Sequence, residues 1–584
     1  MESNTRNLIQ DVRYEPDEKP PSLLSIGLGL QYATLTVASI VLTPAILVGA
    51  VGGDEAYLSW VLFAALVVSG VTTVIQSARI GRIGSGYLLL MGSSSAFLAI
   101  CVTALERGGG ALMANLIIVS SLCQFILAAK LSLFRKIFTP TVAGTVLMLI
   151  PVTLAPIIFR KLNDVPADAA PSAAPVTAGL TLAVIAAITL RASGAWRLWA
   201  AALGIVGGSA VGGFFYGIYD SSRVLEAAWI GWPQLAWPGL DLGFGTDFWA
   251  LLPAFVLVTL VGALDTIGDG IAIQRISWRR PRAIDFQSIQ GALAADSLGN
   301  LLSGLTGTVP NTTYAASIAV ADLTRVAARI VGMCVGVIFI VLAFLPKLIA
   351  LIVAIPGPVV AAYFMVLVAS LFILGVRVLM HDGLDQRKGF AVGFAFWLGI
   401  AFQLDWIFPE YFQGPWSDLL GNSMTVGGLT VIVLTQFVEL TGPRPRRLKT
   451  ELTLENLPKI DSFLSDFAAR GKRTAEMTDR LRAVGEEMLL TLTRPAEEGR
   501  VPAGRHLLLV ARNDGDAVDL EFAATTDDTN LEDRLALLSE QVTGPPVEEE
   551  VSLRLLRHYA SSVRHQQFHD TDVITVRVGP TTSM

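Results

Sequence analysis

Hydrophobic patterning divides the chain in two. From Leu23 to about Gly442 long apolar runs follow one another with short polar breaks, whereas Pro443 to Met584 mixes polar and apolar positions as a soluble protein does. A segment in lipid must satisfy its own backbone hydrogen bonds, so runs of roughly 20 residues predict helices. Fourteen runs fit, near 25–50, 56–76, 86–103, 111–129, 139–160, 174–192, 196–219, 248–274, 284–306, 311–323, 326–351, 356–376, 388–405 and 424–441. Two of them are broken in midcourse. GYLLLMGSSSAFLAI is interrupted at Gly92-Ser93-Ser94-Ser95, and a short segment follows the breaker Thr308-Val309-Pro310-Asn311-Thr312-Thr313. These are the third and tenth runs, equivalent places in two halves of seven. Such a pair is the mark of an inverted-repeat transporter with its site at the bilayer midplane. Single Gly/Ser or Pro breaks also occur in membrane helices without function; the matched placement favours the functional reading.

Composition narrows the class. Only 16% of the 584 residues are charged and 53% are apolar, with a mean hydropathy of +0.58, against about 25% charge in an average soluble domain. That excludes a soluble enzyme, a disordered chain and a secreted disulfide scaffold. A net charge of −6 offers no basic surface for nucleic acid, and Cys101, Cys123 and Cys334 stand singly in apolar stretches, so neither a disulfide framework nor a metal site is expected. No cofactor is expected either. Residues 1–22 are polar and lack the apolar core of a signal peptide, which predicts a cytoplasmic tail. Loop charge agrees: with the N-terminus inside, the inner loops hold 16 Lys and Arg (among them Lys130, Arg135, Lys136, Arg280 and Arg282) and the outer loops five. The pattern predicts a multi-pass protein of the inner (plasma) membrane with both termini cytoplasmic.

The segment FVLVTLVGALDTIGDGIAIQRIS places Asp265 and Asp269 four residues apart, on one face of an apolar helix. A carboxylate in the membrane interior costs at least about 2.5 kcal/mol, so it normally faces a cavity or a partner and carries a function. Asp265 is the first candidate for substrate contact. Asp269 is read equally as a tie between helices or as a direct contact. Asp296 and Asp322 are further acids in or near the membrane.

These segments, with Pro310-Asn311-Thr312-Thr313-Tyr314, QSARIGRIGSGYLLLMGSSSAFL and FLPKLIALIVAIPGPVV, resemble the xanthine/uracil permease (nucleobase–ascorbate transporter) family over about residues 20–440. The resemblance implies a polytopic α-helical membrane protein of 14 spans in two inverted 7-helix repeats. It also implies a core domain moving against a gate domain, a short strand and half-helix in spans three and ten, and dimerisation through the gate. Position by position it implies a substrate pocket of Tyr32, Ser94, Ser95, Asp265, Ala316 and Ser317. Four contacts depart from the family pattern: Asp265 stands where Glu is usual, Ala316 where a Glu or Gln binds the base, Tyr32 where many members have His, and Ser95 where Phe stacks on the ring. An unpaired polar edge in a buried site costs about 1–3 kcal/mol per group, so a different purine derivative or another small polar or anionic metabolite fits as well. The half-helix N-termini could accept a carbonyl or anionic group. Protonation of Asp265, with Asp269 beside it, could couple transport to protons.

Residues 443–584 predict a cytoplasmic α/β domain in the order helix, hairpin, helix, strand, with the hairpin turning at Asn513-Asp514-Gly515 and a second helix in LRLLRHYASSVRHQQF. They weakly resemble the histidine-kinase-like ATPase domain of anti-sigma serine kinases. Leu490 or Thr491 stands where that family has its metal-binding Asn, and Ala524-Thr525-Thr526-Asp527-Asp528 replaces its glycine turn. Docking of a cytoplasmic protein, dimerisation or regulation is therefore expected rather than catalysis; a sulfate-permease-type regulatory domain stays open. The expected architecture is a tail (1–22), a transporter domain (23–442) and a soluble domain (443–584). The expected function is proton-coupled, elevator-type transport of a nucleobase-like solute by a homodimer in the lipid bilayer. Alternatives are a non-transporting receptor signalling through the soluble domain, or an anion transporter on the related sulfate-permease fold.

Overall fold

The structure is a computed structural model that describes residues 12–129, 139–241, 243–279, 284–381, 386–408, 410–411, 422–441, 445–497, 506–514, 517–524, 555–556, 558–568 and 571–579. The loop cations Lys130, Arg135, Lys136, Arg280 and Arg282, the turn residue Gly515 and residues 525–528 lie outside the described residues. Contacts divide the chain into two units, one holding 10–279 and 287–436 and the other holding 437–584.

The first unit is helical: α1 (Ser22–Ala50), α2 (Glu55–Ala78), α3 (Leu98–Ala129), α4 (Pro140–Leu162), α5 (Ala173–Arg191), α6 (Ala200–Tyr216), α7 (Thr246–Ile276), α8 (Phe286–Thr306), α9 (Ala316–Thr324), α10 (Arg329–Ala343), α11 (Pro346–Val353), α12 (Gly357–His381), α13 (Gln386–Gln403) and α14 (Ser423–Thr441). Among the described residues seven of these, α1 to α5, α7 and α12, are long and apolar enough to cross a membrane. The run 326–351, expected as one helix, is two: α10 and α11 meet at 87°. Pro346 opens α11 at its first turn, where a missing N–H is tolerated, and cannot continue the helix before it. Within α3, Gly109 (φ 69°, ψ −170°) breaks the helix between the third and fourth runs.

Both interruptions read from the sequence fold as strands, β1 (Leu90–Ser93) and β2 (Asn311–Tyr314). They pair antiparallel, Leu90 with Tyr314 through Ser93 with Asn311, and the Ser94 N–H extends the ladder by donating to the Pro310 carbonyl at 2.8 Å. Two segments that cannot be helical thereby satisfy each other's backbone. Gly92 is required here, because a Cβ would lie 2.4 Å from the Tyr314 ring. Helices also close on one another through small residues. Gly70 of α2 and Gly336 of α10 are so near that a Cβ on either would lie 2.5 Å from the other's carbonyl oxygen.

The second unit carries an antiparallel sheet in the order β3-β4-β5-β7-β6, made of β3 (Arg446–Glu451), β4 (His506–Asp514), β5 (Ala517–Ala524), β6 (Ser562–Phe568) and β7 (Thr571–Val578). Helices α15 (Leu457–Arg470) and α16 (Ala475–Glu497) supply Ile460, Leu464, Val484 and Met488 to its core beside Leu509, Phe522 and Val576. The helix expected across 553–568 is corrected at its end. Ser562–Phe568 is a strand, because pairing with β7, from Ser562 with Arg577 to Phe568 with Thr571, outweighs the local helical spacing. β3, at the sheet edge, was not anticipated.

Replacing Gly92 by alanine should destabilise the protein by about 1–3 kcal/mol through overpacking against Tyr314, whereas Gly179→Ala in α5, where nothing lies within 4 Å of the new methyl, should not. Thermal unfolding of both variants in detergent checks this; equal melting of Gly92→Ala and the parent would refute the steric argument.

Candidate functional site

Helix α7 carries its polar residues on the face turned to the paired strands. Thr313 of β2 donates to Asp269 Oδ2 at 2.7 Å and lies 3.4 Å from the Thr266 hydroxyl. Thr266 in turn donates to Asp296 Oδ2 of α8 at 3.0 Å. Gln124 of α3 donates to the same oxygen at 2.7 Å and accepts from Asn300 Nδ2 at 2.9 Å. Asn300 accepts from the backbone N–H of Asn311 at 2.8 Å, and Asn311 Nδ2 donates to Thr72 of α2 at 2.9 Å. One continuous polar chain thus links α2, α3, α7, α8 and β2. Asp296 is 1% exposed and its second oxygen, Oδ1, has no partner among the described residues.

Asp265 lies one helical turn before Asp269, about 6 Å along the axis. It is half-buried, and its carboxylate receives no hydrogen bond from the described residues. Of the acids on this face it is the one left available. Asp269 is engaged by Thr313 and in this conformation ties α7 to the second broken span.

The other expected pocket residues sit at the strand–helix turns. Ser94, buried, and Ser95, half-buried, follow β1, and no side chain caps the short turn of helix at Ser95–Phe97. Ala315 and Ala316 follow β2 and are exposed, and among the described residues no side chain caps α9. Both helix starts therefore offer backbone N–H groups. Because the strands are antiparallel and four residues long, the two starts lie at opposite ends of the pair, about 13 Å apart along the strands. Ser317 is buried and donates to the Tyr314 carbonyl at 2.6 Å, while the Tyr32 hydroxyl donates to the Ser317 carbonyl at 3.4 Å. Tyr32 and Ser317 thus brace the half-helix. Tyr314 closes the other side by donating to the Ser93 carbonyl at 2.9 Å.

Gln124, Thr266, Asn300 and Thr72 were missed as site residues. The available signal was an amide or hydroxyl recurring in apolar runs and, for Asp296 and Asn300, an i, i+4 pair on one face of α8. A cavity of about 460 Å³ elsewhere in the unit, lined among others by Glu55, Asp220, Arg223 and Glu226, shares no lining residue with this site.

Residues 24–405 match the Permease family whose profile is named for xanthine and uracil permeases. The chain belongs to the xanthine/uracil permease family. It is a multi-pass membrane permease and not an enzyme. Xanthine permease XanP of Escherichia coli is 26% identical over 437 residues, covering 72% of this chain and 93% of that protein. Xanthine permease XanQ of the same organism is 26% identical over 450 residues, 73% and 93%. Uric acid permease PucK of Bacillus subtilis is 26% identical over 439 residues, 74% and 100%.

In this permease the polar chain makes a definite demand. Gln124→Leu removes a donor to Asp296 and the acceptor of Asn300 together, leaving buried groups unpaired at about 1–3 kcal/mol each. Gln124→Leu should therefore lower the unfolding temperature in detergent more than Thr34→Val, which loses a hydroxyl on the exposed side of α1. Equal shifts would mean that the chain contributes nothing to stability.

Proposed function

We propose that this permease carries a nucleobase, an oxidised purine by preference, across the inner membrane together with a proton, and that Asp265 is the carboxylate that binds the base and accepts the proton. The observation that carries the reading is Asp265 itself. It is a half-buried acid on α7 without a donor among the described residues, beside a strand pair whose two outgoing helix starts carry no side-chain cap among them. A base presents ring N–H groups, which a carboxylate accepts, and carbonyl oxygens, which free helix N–H groups can meet. The family and the relatives named for xanthine and uric acid support this substrate class. The replaced contacts at Tyr32, Ser95 and Ala316 favour a base read chiefly by its polar edge rather than by ring stacking.

An elevator-type movement of a core domain against a gate domain, with halves related by inversion, is the accompanying proposal. The self-pairing of β1 with β2 supports it, and so does a matched packing contact. A Cβ on Gly70 of α2 would meet the Gly336 carbonyl and the Ile340 N–H of α10; a Cβ on Gly304 of α8 would meet the Ala114 carbonyl and the Ile118 N–H of α3. In two repeats of seven these are equivalent pairs. The cytoplasmic unit, which lies beyond the family match, is proposed to serve homodimer formation or docking of a cytoplasmic protein.

Proteoliposomes loaded at neutral pH and diluted into acidic buffer should accumulate labelled xanthine or uric acid, and Asp265→Ala should abolish accumulation. Loss of a hydrogen bond to a charged group, about 1.5–3 kcal/mol, corresponds to a roughly 10- to 150-fold weaker affinity. Absence of uptake of any purine or pyrimidine, or full uptake by Asp265→Ala, would overturn the assignment. Ligand-induced change in the soluble unit without flux would establish a receptor instead.

A further inference from the structure

Ahead of α1, residues 12–18 cross the ends of three elements that bear on the site. Arg325 ends α9 in the left-handed region at φ 58°, unusual for a residue with a side chain, and this turns its carbonyl toward the segment. That carbonyl accepts from the N–H groups of Arg13 at 2.7 Å and Tyr14 at 3.3 Å. In return the Ala327 N–H donates to the Tyr14 carbonyl at 2.9 Å and the Arg329 N–H to the Pro16 carbonyl at 3.1 Å. The N-terminal segment is therefore paired, strand-like, with the chain that leaves the second half-helix and enters α10.

The same segment holds the far end of α7. Arg279 donates in bidentate fashion to Glu18 at 2.7 and 2.6 Å, and two further guanidinium hydrogens go to the carbonyls of Val12 at 2.9 Å and Arg13 at 2.8 Å. Its own backbone N–H donates to Glu15 at 3.0 Å. A planar fork with fixed donors suits such a junction, and lysine could not replace it. The neighbouring Trp278 reaches the other broken span, donating to the Tyr87 hydroxyl at 3.3 Å just ahead of β1.

We propose that residues 12–18 form a clasp, pinned by Arg279, that fixes the end of α7 to the exit of α9 so that the two site-bearing elements move as one body. Arg279 is a positioning residue: it touches no substrate and sets the spacing between the helix that carries Asp265 and the half-helix opposite it. The consequence for transport rests on the function proposed above; the clasp itself does not.

The test is hydrogen–deuterium exchange on the full-length protein in detergent, without ligand, comparing the parent with Arg279→Gln and Glu18→Gln. The amides of Ala327 and Arg329 report the clasp directly, since their acceptors are on the segment. Arg279→Gln should speed their exchange at least roughly 10-fold, and Glu18→Gln, which spares the bonds to Val12 and Arg13, should have a smaller effect. Amides of α5 should not change in either variant. Arg279 and Glu18 are 38% and 39% exposed, so neither substitution disturbs the core. Unchanged exchange at Ala327 and Arg329 in Arg279→Gln, or acceleration throughout the protein, would overturn the proposal. Because no substrate enters the measurement, a failure of the nucleobase assignment leaves it intact, and a failure here leaves the assignment at Asp265 standing. Spin labels at Asp322 and Arg275 add a second reading: one narrow distance in the parent, broadened in Arg279→Gln; equal widths would count against a rigid clasp.

Discussion

Everything at the centre of this permease depends on one constraint: the two broken spans leave the helix in the apolar interior, and the backbone groups of their strands must find partners in each other and in a few neighbouring side chains such as Asn300 and Thr73. β1 and β2 meet this by pairing across more than two hundred residues of sequence, because an unmade hydrogen bond in such surroundings would cost several kcal/mol. The remaining features follow from that pairing. Gly92 has no side chain because Tyr314 lies over it. Asn300 and Thr72 serve the ends of the strands through Asn311. The helices that leave the strands begin without caps, so the same break that costs backbone order also creates donors.

The sequence showed the breaks and the acids but not the way they are joined. Gly92–Ser95 and Thr308–Thr313 stood out because helix breakers are conspicuous in apolar runs, and Asp265 and Asp269 because charge is costly there. Gln124 was invisible, since its partners Asp296 and Asn300 lie more than 170 residues away and a single amide in a helix has no local signature. The bend between α10 and α11 was hidden for a different reason. Hydropathy does not fall at Phe344-Leu345, so only the backbone demand of Pro346 marks the turn. In the soluble unit, β6 reads locally as helix and is settled by its neighbour β7, a case where pairing partners carry information that spacing cannot.

The polar chain and the clasp address the same mechanical need at two depths. Asp269 and Asp296 are held by neutral donors, Thr313, Thr266 and Gln124, so the interior ties are hydrogen bonds rather than buried ion pairs. Such ties are directional but avoid the desolvation penalty that makes buried salt bridges poor sources of stability. Ion pairs stand instead near solvent, among them those at the end of α7 and the start of α10, where Arg279 meets Glu18 and Arg329 meets Asp17. There desolvation is small and geometry, more than energy, is what the pairs contribute.

An arrangement of this kind has a consequence for how access to Asp265 could alternate. With β1 and β2 paired, α7 tied to β2 by Thr313, and the end of α7 joined to both broken spans through Trp278 and Arg279, no single half-helix can open without breaking several bonds at once. The close contacts of α2 with α10 and of α8 with α3 leave no space for a side chain, so these helices cannot slide locally either, because tightly packed interfaces resist continuous deformation. A site built in this way favours displacement of the whole ensemble over a local gate. That argues for the elevator form of the proposal from the packing itself, independently of what the solute is.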